Sequence, residues 1–190
     1  KLDPIDKEII VIAALFHDAG YINGCTNHEE VSCDIAAGFL KESGKAEDYI
    51  EKVSSLILAT RMDYIPQNLL EKIIKDADYY HISSINYTLA CDGLRTEWGN
   101  TEEKVFTEKE WTLENLNFLV NKHQYYTDFA LKHWQPLKEM NIQRIQLKID
   151  EMEKEESKLL NKQLKKEEKK KEKDENPERG RDTLFRITLG

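Results

Sequence analysis

The chain is short of the residues that staple or punctuate small proteins. Three cysteines, four prolines and eight glycines are spread over 190 residues. Cys25, Cys33 and Cys91 form no CxxC pair, and an odd count suits reduced thiols of a cytosolic compartment rather than a disulfide framework. Cys25 has only His28 as an evident partner nearby and reads as a buried, inert thiol rather than a nucleophile. No apolar run reaches the roughly 18 residues of a membrane span, and no signal peptide is present, so this stretch does not cross a bilayer. A Gly-x-Gly-x-x-Gly turn, a Walker loop and internal repeats are all missing. Strand-like alternation is missing too, which leaves an all-α chain.

Charge is plentiful but unevenly placed. Acidic residues outnumber basic ones 36 to 28, for a formal net charge of −8. Nearly all aromatic and β-branched residues precede about residue 149, whereas Asp150 to Lys173 is mostly Glu, Lys, Asp, Gln and Leu. Residues 150–182 almost balance, with 12 acids and 11 bases, so about −7 lies in the preceding part. That argues against a nucleic-acid polymer as partner. It leaves room for a nucleotide-like small molecule held by a metal and a few local cations.

Five or six helices are predicted. Asp3 caps the first, with Pro4 at its first position and Ile5, Ile9, Ile12 and Phe16 on one stripe. This helix is expected to be buried on nearly all sides, with Gly20 as its stop. Asn27 and Glu30 have capping-box spacing and open a second helix through Val31, Ile35 and Phe39 to Ser43-Gly44. A third, about 46–60, turns Ile50, Val53 and Ile57 inward. Pro66 to Leu94 reads as one long helix or two nearly continuous ones, and Trp98-Gly99-Asn100 as a loop. Thr107 and Glu110 are a second capping-box pair, opening a helix through Trp111, Leu116 and Leu119 to about His133. Pro136 permits a new start, after which Ile142, Ile145, Ile149 and Met152 form a narrow stripe. The boundaries are residues 1–135 for a helical domain, 136–175 for a long charged helix and 176–190 for a linker and apolar tail. The charged helix offers a route to a homo-oligomer.

His17-Asp18 closes the first apolar helix with an imidazole and a carboxylate. The pair either satisfies backbone groups as a cap or binds a metal; the mixed donors suit Mn, Fe, Zn or Ni better than Ca or Mg alone. At about 100° per residue, Leu70, Ile74, Ile82, Ile85 and Leu89 fall within about 80° of Asp78. Asp76 falls about 160° away, with Lys72, Ser83 and Tyr87 on a solvent side. A carboxylate on an apolar stripe needs either a cation such as a metal or a buried partner, for which Arg61 and Lys75 are candidates. His81, about 60° from Asp78, lines the same pocket or packs as an ordinary hydrogen-bonded histidine. His28 and Glu29 sit in the first turn of the second helix, whose free amides suit a phosphate. The zincin pattern His-Glu-x-x-His fails because Ser32 stands at its last position. Arg61 is either a phosphate-binding guanidinium or a surface arginine.

Together, His17-Asp18 with Gly20-Tyr21, His28-Glu29-x-x-Ser32 and Asp76-Ala77-Asp78 resemble the HD superfamily of metal-dependent phosphohydrolases, over most of residues 1–95. The resemblance implies an all-helical HD bundle, with His17, Asp18 and Asp78 as ligands of a divalent transition metal (Mn, Fe, Ni or Zn, with Mg as a further candidate). It implies His28 as the residue that faces the phosphate and helps proton transfer. Members usually carry a further ligand histidine on a preceding helix, whereas only sixteen residues precede His17 and none is His. With Lys1 rather than Met first, an upstream segment is expected, so the site is incomplete in this chain or the module is a non-catalytic binder. Leu94-Arg95-x-Glu97-Trp98, the Trp111 helix, His123-x-Tyr125-x-Thr127 and Glu178 to Arg186 look more narrowly like HD-containing relatives of Pycsar-type effectors. That group implies a cytoplasmic module preceding a transmembrane effector region in antiphage signalling.

Three functions are compatible with these residues. The first is a phosphohydrolase in which His28 and Glu29 are catalytic, His17, Asp18 and Asp78 hold metal, and Arg61 and His81 touch a nucleotide or cyclic nucleotide. The second is a module that senses a nucleotide without hydrolysing it and passes the signal to a membrane effector. The third, a purely structural adaptor, leaves Asp78 on an apolar face unexplained.

Overall fold

The computed structural model describes residues 2–24, 26–101 and 105–175; Cys25 and the stretch from Asn176 onward, including Glu178 to Arg186, lie outside them. Eight α-helices are described: α1 (Pro4–Phe16), α2 (His28–Glu42), α3 (Glu47–Leu58), α4 (Leu69–Asp78), α5 (Tyr87–Thr101), α6 (Glu108–Asn117), α7 (Asp128–His133) and α8 (Gln135–Glu175). Short 3-10 turns occupy Ala19–Asn23 and Tyr79–Ser83, and a π turn occupies Phe118–Lys122. The chain divides into two compact units, one ending at Arg144 and the other beginning at Ile145.

The first unit is built around α3. Ile50, Val53 and Ile57 are buried as their spacing predicts, and with Leu56 and Ala59 they meet Ile9 and Ala13 of α1, Ala36 and Leu40 of α2 and Ile74 of α4. Each large aliphatic chain so buried contributes about 2 kcal/mol. The α1 cap forms as expected, with Asp3 Oδ1 accepting from the Asp6 amide at 2.8 Å. Of the expected stripe, Ile9 is buried and Ile12 and Phe16 pack against the core, but Ile5 does not join them and the all-round burial does not hold. Ile5 is 59% exposed, and Val11 and Leu15 lie open on the face opposite Ile9 and Ala13.

On α2 the inward row is Ser32, Ala36 and Leu40, one residue past the expected Val31, Ile35 and Phe39. The small residues allow a backbone approach that larger ones would block. Gly20 is at the contact point: a Cβ there would lie 1.9 Å from the His28 carbonyl oxygen. Its role is therefore close approach, not the helix stop its position implied, since α1 has already ended at Phe16. Buried Ser32 fastens the contact. Its hydroxyl donates to the His17 carbonyl at 2.7 Å and accepts from the Gly20 amide at 2.8 Å. Asn27 lies at the α2 N-cap in the left-handed region with no side-chain cap bond, so the expected Asn27–Glu30 box does not form. Glu30 pairs instead with Arg61 at 2.9 Å.

Of the two readings of Pro66 to Leu94, two successive helices hold rather than one long one: α4 ends at Asp78 and α5 begins at Tyr87, with a 3-10 turn between them. The Asn141 side-chain amide donates to the Ile82 and Ser84 carbonyls at 2.8 and 2.9 Å, holding the chain in its 3-10 turn. Carrying a 100° step across that break misplaces the residues beyond it: Ile85 and Leu89 are exposed, whereas Ser83 and Tyr87 are buried. Asp76 is also corrected. It is 2% exposed, and its carboxylate accepts from the Tyr126 amide (2.9 Å), the Thr127 amide (2.8 Å) and the Thr127 hydroxyl (2.7 Å). These bonds also split the expected helix from Thr107 to His133, because amides spent on Asp76 are lost to an intrahelical ladder. The Thr107–Glu110 capping box forms as expected. Trp98-Gly99-Asn100 is not a loop but lies within α5. In the second unit, the part of α8 beyond Ile145 is a continuous helix to Glu175.

The weight these contacts carry is measurable in stability. Asp76→Ala removes three charge-assisted bonds from a buried site and lowers stability by about 3 kcal/mol or more in urea unfolding. Gly20→Ala forces the α2 backbone to move and costs about 2 kcal/mol or more. Gly38→Ala, on α2 with nothing within 4 Å of the added atom, gains up to about 1 kcal/mol in the same assay.

Candidate metal and phosphate site

The stitch between Ser32, Gly20 and His17 sets the end of α1 directly against the start of α2. His17 follows the last turn of α1, and its Nδ1 lies 2.8 Å from the Ala14 carbonyl oxygen. A carbonyl only accepts, so Nδ1 carries the proton and Nε2 is the nitrogen turned outward. Nε2 lies 3.2 Å from Asp18 Oδ2 and 3.3 Å from Asp78 Oδ1. Residues sixty apart in sequence therefore meet on one imidazole, because α4 packs against α1 and ends at Asp78. The Asp78 side chain is 25% exposed, beside the core without being sealed in it.

The other Asp18 oxygen faces His28, with Oδ1 3.6 Å from Nε2. Glu29 Oε1 lies 3.4 Å from the same nitrogen. The His28 ring stacks on Tyr21 with centroids 4.0 Å apart, which fixes its plane. Asp18 thus spans two imidazoles, and five predicted residues, His17, Asp18, His28, Glu29 and Asp78, form one cluster.

Bonds to Asp18 and then Asp78 raise the pKa of His17 to about 10, against the opposing effect of burial. The same bond to His17 lowers that of Asp18. Lys75, 4% exposed, donates its ammonium protons to the Arg61 and Met62 carbonyls at the end of α3. Burial lowers its pKa while the charges of Asp78, Asp63 and Glu29 oppose that shift, so it lies within electrostatic reach of the cluster. The cluster is rich in carboxylates around an imidazole whose Nε2 faces two of them, and its donors are of the types that Mn, Fe, Ni or Zn accept. Yet among the described residues no group of three or more His, Cys, Asp or Glu side chains is spread as a cage for a metal ion. Their shortest separations are those of groups bonded to one another.

Arg61 and His81 stand apart from this cluster. The Arg61 guanidinium is 2.9 Å from Glu30 Oε1. His81 is exposed, with Nδ1 3.2 Å from the Asp78 carbonyl oxygen rather than its carboxylate. The pattern of residue types does not reveal Ser32 or Tyr21 as organisers, and Lys75, a candidate partner of Asp78, is buried as expected but bonds carbonyls instead. For Ser32 the available signal is a small polar residue one turn after His28. Cys33, half-buried, donates to the Ser54 carbonyl, and burial lifts its thiol to about 11, well away from a nucleophile.

Residues 1–83 match the family model described as HD domain. No curated protein and no solved structure matches the chain. The residues that carried the narrower resemblance, from Leu94 onward, lie beyond the matched span, which nevertheless holds the whole cluster from His17 to Asp78. Over residues 1–83 the chain is similar to the HD domain, and its described residues fold as an all-α bundle of that architecture.

Proposed function

We propose that this domain is a metal-dependent phosphohydrolase acting on a phosphate ester, with a nucleotide or cyclic nucleotide as the substrate class. The observation that carries the proposal is the convergence of Asp18 and Asp78 on His17 Nε2 while Nδ1 is held by the Ala14 carbonyl. Backbone anchoring of one ring nitrogen is the usual way a ligand histidine presents the other. His17 Nε2 and the Asp18 and Asp78 carboxylates, 3.2 and 3.3 Å from it, are the groups that would hold the ion. When bound, a divalent transition metal (Mn, Fe, Ni or Zn, or Mg) supplies a Lewis acid that polarises a phosphoryl oxygen and acidifies water.

The protein's own side chains do the rest. His17, Asp18 and Asp78 hold the ion, and His28 holds or moves a proton at Nε2 where the phosphate arrives. Glu29 and the Tyr21 ring fix the orientation of His28. Arg61 reaches a phosphate by exchanging the Glu30 carboxylate for it, and His81 contributes at the margin. A second reading has one specific observation behind it, the absence of a ready-made cage among the described residues. In that reading the module binds a nucleotide without turnover, on the cytoplasmic side, and signals to a membrane effector in antiphage defence.

Metal analysis of the purified protein and a phosphatase and phosphodiesterase panel with Mn and Ni separate the two. The first reading expects about one ion per chain and turnover that Asp78→Asn reduces at least 100-fold. Nucleotide binding in calorimetry without product supports the second, and neither metal nor turnover overturns the first. A pH series checks the cluster itself. Because folding raises His17 from 6.5 to about 10, the stability its imidazolium contributes in metal-free protein is complete below pH 6.5 and is lost as pH rises through about 10. Urea unfolding at pH 6, 8 and 10 should show that decline, and Asp78→Asn should flatten it. Metal must displace the same proton, so its affinity rises with pH across this window.

A further inference from the structure

The lysines of α8 are placed against the stability of their own helix. Lys154, Lys158, Lys162, Lys166 and Lys170 succeed one another at four-residue steps, and Lys165 and Lys169 repeat that step beside them. Like charges four apart on a helix repel, whereas a freely solvated charged helix is stabilised by Glu four residues before Lys. Here the signs are partly segregated by face: Glu167 and Glu168 interrupt the lysines in sequence but fall about 120–140° away from Lys162, and Lys162 and Lys166 have no carboxylate three or four residues away on either side. Lys158, Lys162, Lys165, Lys166 and Lys169 line one face and make no ion pair among the described residues. At about 1.5 Å per residue this stripe runs roughly 16 Å.

From this segregation we infer that the Lys158–Lys169 face is a docking surface for an acidic amphipathic helix of a partner protein. Charge complementarity identifies the partner, because carboxylates at matching steps relieve the repulsion along the stripe. Exposed Leu159 borders the stripe, whereas Leu160 and Leu164 fall on the opposite face and take no part in it. A partner helix covers such an apolar margin, which a phosphate polymer does not. The stretch holds neither Arg nor aromatic residues, so it lacks forks for bidentate phosphate contacts, rings for stacking on bases and anchors for a membrane interface. A second copy of the chain is a poorer occupant. Antiparallel pairing that sets Glu151 against Lys165 also sets Lys158 against its own symmetry mate.

The test uses the full chain in 150 mM salt and a labelled 21-residue helical peptide with Glu at four-residue steps and Leu between them. Competing probes are a 20-base-pair DNA duplex and phosphatidylcholine/phosphatidylserine vesicles, with sedimentation to detect self-association. Peptide binding is expected to weaken at least 30-fold in the Lys162→Glu/Lys165→Glu/Lys166→Glu variant. Circular dichroism should show that variant to be at least as helical as the parent, so lost binding is not lost folding. No peptide binding, binding indifferent to charge reversal, tighter binding of duplex or vesicles, or dimerisation through this face would each overturn the inference.

Discussion

The contact between Gly20 and the α2 backbone is the constraint on which the cluster rests. It leaves no room for a side chain, and Ser32 converts the close approach into a fixed one by bonding both His17 and Gly20. Because Ser32 reads backbone groups, it sets the position of the turn independently of the side chains the turn carries. Asp18 and His28 are brought together by this arrangement rather than by attraction between them. Their own separation of 3.6 Å is too long for a direct hydrogen bond.

Asp76 and Asp78 show how two carboxylates of one motif divide their work. Asp76 turns into the protein and spends both oxygens on the segment before α7, tying the later helices to α4. Asp78, at the last turn, is left facing the end of α1. The first aspartate is fully employed in structure, so only the second has a carboxylate to offer at the site. Fixing the end of α4 through Asp76 also narrows where Asp78 can go.

The fold is legible where local rules suffice. Asp3, Pro4 and the Thr107–Glu110 box set helix starts through bonds between near neighbours, and the α3 spacing names its buried face. It is not legible where a distant partner wins. Asn141 ends the stretch that periodicity extends to Leu94, Asp76 breaks the one that runs to His133, and Arg61 takes Glu30 from its predicted cap. The site is more legible than its supports, since imidazoles and carboxylates near an apolar helix end announce themselves by chemical type. Ser32 and Gly20 do not, because their importance lies in size and backbone bonding. Helical periodicity is only a partial guide even within α4, where it sends Asp76 to solvent although the structure buries it; the packing of α4 against α1 is what brings Asp78 to His17-Asp18.

The balance of charge explains why the cluster takes a positive partner of some kind. Asp18, Asp78 and Glu29 gather around His17 and His28, while Lys75 is occupied by the carbonyls at the end of α3. A proton shared from His17 satisfies two of the carboxylates, whose bonds lift its pKa. In the function proposed, a divalent ion would carry more charge to the same point and take the lone pair that the proton occupies, so that proton and metal would compete for one nitrogen. The geometry that makes the imidazolium hard to neutralise is also what makes the neutral imidazole, once formed, a directed ligand between two carboxylates.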